Sequence, residues 1–142
     1  MLSAPSVDPA ASFPAPRYLI DLEPTVERLL DRHLATAKEW FPHDYVPWER
    51  GRRFTDEPWS VGQSALSVVA RTALELNLLT EDNLPYYHFA LANGFGATGP
   101  WGVWARRWTA EEGRHAIALR DYLIPTRAVD PVALERERMA HV

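Results

Sequence analysis

The stretch "WTAEEGRHAIALRDYL", Trp108 to Leu123, decides how this chain is read. It has the pattern of a helix, and Trp108, Leu119 and Tyr122 fall on one apolar stripe. Glu112 and His115 fall on that same stripe. They stand three residues apart, so both project from one face. An ionised carboxylate on a face meant for burial is costly unless it is paired or holds a cation. A simpler alternative stands beside this one: His115 as a hydrogen-bonded core residue, and Glu111-Glu112 as a solvated pair.

Composition narrows the choice. The chain has 142 residues, enough for one domain, with 46% hydrophobic and 24% charged residues, a globular balance. A net charge of -4 gives no reason to expect nucleic acid as a partner. There is no cysteine, which excludes disulfides, thiolate zinc sites and cysteine-ligated clusters. Any metal must be held by Asp, Glu and His. No apolar run is long enough for a membrane span, and the start of the chain lacks the basic end and apolar core of a signal peptide, so a cytoplasmic protein is expected.

Residues 1–20 are expected to be a flexible arm, rich in Pro, Ala and Ser near its start, with one helical unit over residues 21–142. Helical spacing is clear from Glu23, with Pro24 near the helix start. Residues 41–59 form a loop by their prolines and glycine. A second helix is expected from Ser60 or Val61, kinked near Asn83–Pro85. Leu74, Leu78, Glu81, Pro85 and His88 share one of its faces. "NGFGATGPWG", 93–102, reads as a connector, since no strand precedes it and no Lys-Ser/Thr follows. A third helix is expected from about Val103 to Leu123. A fourth starts at Asp130-Pro131, with Leu134 and Met139 facing inward. No strand or repeat is legible, so the fold class is all-α.

Glu81 thus occupies the inward stripe of the helix before Glu112 and His115. Carboxylates with an imidazole and no thiolate suit iron or manganese. A Glu on one helix and Glu-x-x-His on its neighbour make half of a di-iron carboxylate bundle.

At these residues the chain resembles a known family. "LTEDNLPYYH", 79–88, and "WGVWARRWTAEEGRHAIALRDYL", 101–123, are similar to motifs of the soluble acyl-acyl carrier protein desaturases, and so is "EWFPHDYVPWERGRRF", 39–54. The likeness covers about residues 20–142. It implies a ferritin-like di-iron helical bundle, with Glu81, Glu112 and His115 as metal ligands and Glu111 as a non-ligand. It also implies two irons, a substrate acyl chain held on acyl carrier protein, a ferredoxin-type electron donor, and oxygen-dependent insertion of a double bond in fatty acid biosynthesis. Two positions depart from the family pattern: Gly113 replaces an Asn, and Ala116 replaces a Gly.

The family draws another Glu and another E-x-x-H from two later helices, which have no match here. His141, four residues after Glu137, is the nearest candidate. The expectation is therefore a bundle truncated to its first half, with three ligands of six. Three readings stay open: an incomplete desaturase, a symmetric homodimer that rebuilds the di-iron site, and a non-catalytic remnant or interaction module. Other residues carry weaker signals. His88 shares the Glu81 face; Trp101, Trp104 and Trp108 form a stripe that suits a core; Trp40 suits core packing or an electron route; Arg50, Arg52 and Arg53 suit a solvated loop or docking of an acidic carrier protein.

Overall fold

The computed structural model of the chain describes residues 16–141. Among them are five α-helices and no strand: α1 Arg17–Thr36, α2 Val68–Asp82, α3 Leu84–Phe95, α4 Gly99–Leu123 and α5 Pro131–His141. The all-α fold class holds. Helix α4 is the centre of the molecule, with α1, α2, α3 and the short turn Pro42–Tyr45 packed around it, while α5 packs on α2. The tightest core lies where α2, α4 and α5 meet. Leu78, Leu123, Val129 and Leu134 are fully enclosed there, with Leu74, Leu119 and Tyr122 at its edge. No helix among the described residues is long and apolar enough to cross a membrane.

Several boundaries differ from the sequence reading, each for a local reason. The arm expected over residues 1–20 overlaps α1, which already begins at Arg17; residues 1–15 lie outside the described residues. Leu19 is buried and its carbonyl accepts a hydrogen bond from Trp101 Nε1 at 2.9 Å, so tertiary contacts hold this first turn. Helix α2 starts at Val68 rather than Ser60, because Ser67 Oγ caps it by accepting from the Ala70 amide. The Gln63 side chain accepts from the Ser60 amide and closes only a single tight turn, Val61–Gln63.

The expected kink is a full break at Asn83, whose backbone (φ -79°, ψ 10°) leaves the helical region. Its carbonyl accepts from the amides of Tyr86 and Tyr87, which starts α3 with Pro85 in the first turn. The connector 93–102 shrinks, since Pro100 fits the first turn of α4 instead of breaking it. Gly102 is required there: a Cβ would lie 2.4 Å from the Ala97 carbonyl. In α5, Asp130 Oδ1 accepts from the Val132 amide at 2.9 Å and Leu134 is buried, as expected. Met139 does not face inward; it is 71% exposed, because α5 turns Leu134, not Met139, into the core it shares with α2 and α4.

A buried arginine ties the long loop to this core. Arg127 adopts a positive φ of 55° and is 5% exposed. Its guanidinium donates to Gln63 Oε1 and to the Glu57 carbonyl, and it stacks 4.4 Å from the Phe54 ring centre. Trp59 Nε1 donates to the Arg127 carbonyl in return. These contacts hold residues 54–63 against the α4–α5 junction.

Candidate metal centre

Helices α2 and α4 pack along their lengths, and this brings Glu81 opposite Glu112 and His115. One ligand atom from each of the three lies within 4.8 Å of the other two. His115 Nδ1 is 2.8 Å from Glu112 Oε2 and 3.8 Å from Glu81 Oε2. Among the described residues this is the one cluster of three or more Asp, Glu or His side chains close enough to share a cation. The site is open: the side chains of Glu81 and Glu112 are 28% and 27% exposed, and that of His115 is 46% exposed.

The electrostatics favour a cation. Partial burial pushes the Glu81 carboxyl above its ordinary value; His115 opposes this, while Glu112 and Asp82 add to it. Two carboxylates facing one imidazole are short of positive charge. Their donors are hard oxygens and one nitrogen without sulfur, a set that fits iron or manganese. A cation between them would supply that charge.

Further contacts orient these side chains. Trp40 stacks on the His115 ring at 5.8 Å with planes 14° apart, and the Arg114 guanidinium lies 4.6 Å over the other ring system of this sandwich, Trp40. Spacing alone could not reveal the Trp40–His115 contact, because it depends on where the loop after α1 returns to α4. On the side of α1, Glu111 takes a different role from its neighbour. Both of its oxygens lie within 3.0 Å of His33 Nε2, and Arg107 Nε donates to Oε1. Partial burial raises the Glu111 carboxyl, but these bonds outweigh it and hold it below its ordinary value. The i,i+4 spacing of Arg107 and Glu111 was a legible signal for half of this cluster; His33 gave none.

The remaining candidates fall elsewhere. His88 faces α4, but its Nδ1 pairs with Thr109 Oγ1 at 2.7 Å rather than with the cluster. Thr109 gives its hydroxyl proton to the Ala105 carbonyl, so His88 is the donor. Trp101, Trp104 and Trp108 are half-buried along α4 and line a groove with α1. Arg52 and Arg53 are 69% and 80% exposed and sit near Glu57 and Asp56, which offset their charge. The side chain of His141 lies outside the described residues, and Glu137 is exposed on α5.

A helical unit that brings a Glu of α2 beside a Glu-x-x-His of α4 has the arrangement of half a carboxylate–histidine helical bundle. The particular family follows from comparison. The fatty acid desaturase family model matches residues 17–142, and the chain belongs to this family. It is 54% identical over 126 residues to DesA1 of Mycobacterium tuberculosis, assigned as an acyl-acyl-carrier-protein desaturase, covering 87% of this chain and 37% of DesA1. It is 34% identical over 119 residues to the chloroplastic stearoyl-acyl-carrier-protein 9-desaturase of Spinacia oleracea, covering 78% of this chain and 30% of that one. The X-ray structure of M. tuberculosis DesA2, likewise assigned, superposes with a TM-score of 0.59 at 40% identity, over 87% of this chain and 46% of that chain. The chain is thus a homologue of acyl-acyl carrier protein desaturases that spans less than half the length of these relatives.

Proposed function

We propose that Glu81, Glu112 and His115 hold iron, and that the chain serves oxygen-dependent desaturation of an acyl chain carried on acyl carrier protein in the cytoplasm. The observation that carries this reading is the convergence of the three ligand atoms within 4.8 Å across two helices. Iron held by such ligands would activate dioxygen, the oxidant, which takes two hydrogens from an unactivated chain, with two electrons from the donor and two further protons, and leaves as two waters. The chain's own residues do the rest. Glu81 and Glu112 bring carboxylate oxygens, His115 brings a ring nitrogen, and Trp40 holds the imidazole plane. A ferredoxin-type protein is the electron donor in this reading. The test is turnover: chain loaded with ferrous iron, given ferredoxin, reductant, oxygen and a saturated acyl-acyl carrier protein, should yield a monoene. An iron-loaded chain that gives none overturns the activity.

A second reading concerns how the ligand set is completed. A di-iron bundle of this type uses four carboxylates and two histidines. Two copies related by a twofold axis would bring together two each of Glu81, Glu112 and His115, which is that set. An apolar surface lined by Trp40, Leu74, Leu119 and Tyr122, about 590 Å³ in volume, lies beside the cluster and would be covered in such a homodimer. Sedimentation should then show a dimer that Leu119→Glu dissociates. A monomer that binds iron with unchanged affinity in both forms contradicts it. Loss of all iron binding with retained binding of acyl carrier protein would favour a non-catalytic interaction module.

A further inference from the structure

Helices α1 and α4 are pinned together at two points and held apart between them. At one end Trp101 Nε1 donates to the Leu19 carbonyl at 2.9 Å. At the other, His33 bonds Glu111. Between the pins lies a half-enclosed cavity of about 400 Å³. Its walls are Val26, Leu29 and Leu30 of α1 and Trp101, Trp104 and Trp108 of α4. Its mouth carries His33, Arg107 and Glu111. A cavity of this size, apolar along its length and charged at one end, has the form of a site for one small amphiphile.

The mouth sets the sign of the head group. Glu111 is saturated by His33 and by Arg107 Nε. Arg107 uses only Nε in this contact; among the described residues neither of its Nη groups has a hydrogen-bond partner. Its side chain is 42% exposed, so both groups are free to bind an oxyanion. The apolar walls then take a hydrocarbon tail. From this we infer that the α1–α4 groove binds a medium-chain carboxylate, with its head on the Arg107 Nη groups and its tail along Trp101, Trp104 and Leu30. The site is separate from the Glu81–Glu112–His115 cluster, on another face of α4, and does not depend on the reading of that cluster.

The three tryptophans make the groove report on itself. Decanoate, decylammonium and decanol share one tail and differ only in the head. Added below their micellar range to the whole chain, decanoate should quench tryptophan emission saturably with one site per chain. Decanol and decylammonium should bind at least about tenfold more weakly, as for loss of one charge-assisted pair. Arg107→Gln should weaken decanoate about tenfold and leave decanol unchanged. Arg107→Glu should reverse the order, with decylammonium the tightest, a result that misfolding cannot produce. Equal binding of all three compounds to the wild-type chain overturns the proposal and leaves only an apolar surface. Absence of saturable decanoate binding overturns it as well.

Discussion

His115 Nδ1 lies 2.8 Å from Glu112 Oε2, one turn away on α4, and the same nitrogen points across to Glu81 on α2. The imidazole therefore joins two helices as well as two carboxylates. Its ring plane is fixed from outside by Trp40, which approaches from the loop after α1.

Trp40→Ala should loosen this arrangement. It removes the stack on His115 and the surface over which Arg114 lies. Outer contacts that orient a ligand histidine are worth about 10–100-fold in metal affinity, so ferrous binding should weaken by roughly tenfold or more. Trp40→Phe should recover most of it. A ferrous titration followed by competition with a chelator reads both.

Two glycines of α4 should respond in opposite directions. A Cβ at Gly113 meets only Leu84 Cδ2 at 3.6 Å, an ordinary contact, so Gly113→Ala should stabilise the chain by about 0.5–1 kcal/mol through helix propensity. A Cβ at Gly102 would strike the Ala97 backbone at 2.4 Å, so Gly102→Ala should destabilise by about 1–3 kcal/mol. Urea denaturation gives both values on one scale.

Arg138 anchors α5 to the end of α2. It grips Asp82 with Nε and Nη2, the latter at 3.0 Å, and also reaches Glu135 at 2.8 Å. Asp82 is only 13% exposed, so Arg138→Ala strands a largely buried carboxylate and should cost about 2–4 kcal/mol. Arg138→Lys should recover part of the loss, because a lysine cannot repeat the two-pronged grip. Thermal melts of the two variants test the order.

Glu75 gives a pH signature. Burial raises its carboxyl above the ordinary 4.5, Arg71 opposes this and Glu137 adds to it. The folded chain therefore holds this proton more tightly than the unfolded one. As pH rises through the interval above 4.5, the folded state loses stability relative to the unfolded state. Glu75→Gln should remove that component and raise Tm at neutral pH by on the order of 1–2 °C. Equal pH dependence of Tm in both forms contradicts the assignment.

The parts of the fold legible in the sequence were those carried by local periodicity. The long α4, the cap at Asp130 and the inward Leu78 and Leu134 all follow from spacing and end signals. The spacing of Glu112 and His115, with Glu81 on the preceding helix, also foretold their meeting. What local spacing could not give depended on distant contacts. The start of α2 was misplaced because Gln63 serves Arg127 as well as the Ser60 turn. The start of α1 depends on Trp101, and the His33–Glu111 bond depends on how α1 crosses α4. Met139 matched an inward pattern, but the core shared with α2 and α4 takes only Leu134 of α5.

The central claim is that Glu81, Glu112 and His115 form a working iron site. Native mass spectrometry after anaerobic loading with ferrous iron reads subunit count and bound metal together. The account predicts bound iron, in a dimer carrying two irons if the twofold reading holds, with the metal lost in Glu112→Ala while the far-UV spectrum stays helical. A metal-free chain, or iron bound equally well by Glu112→Ala, would contradict it.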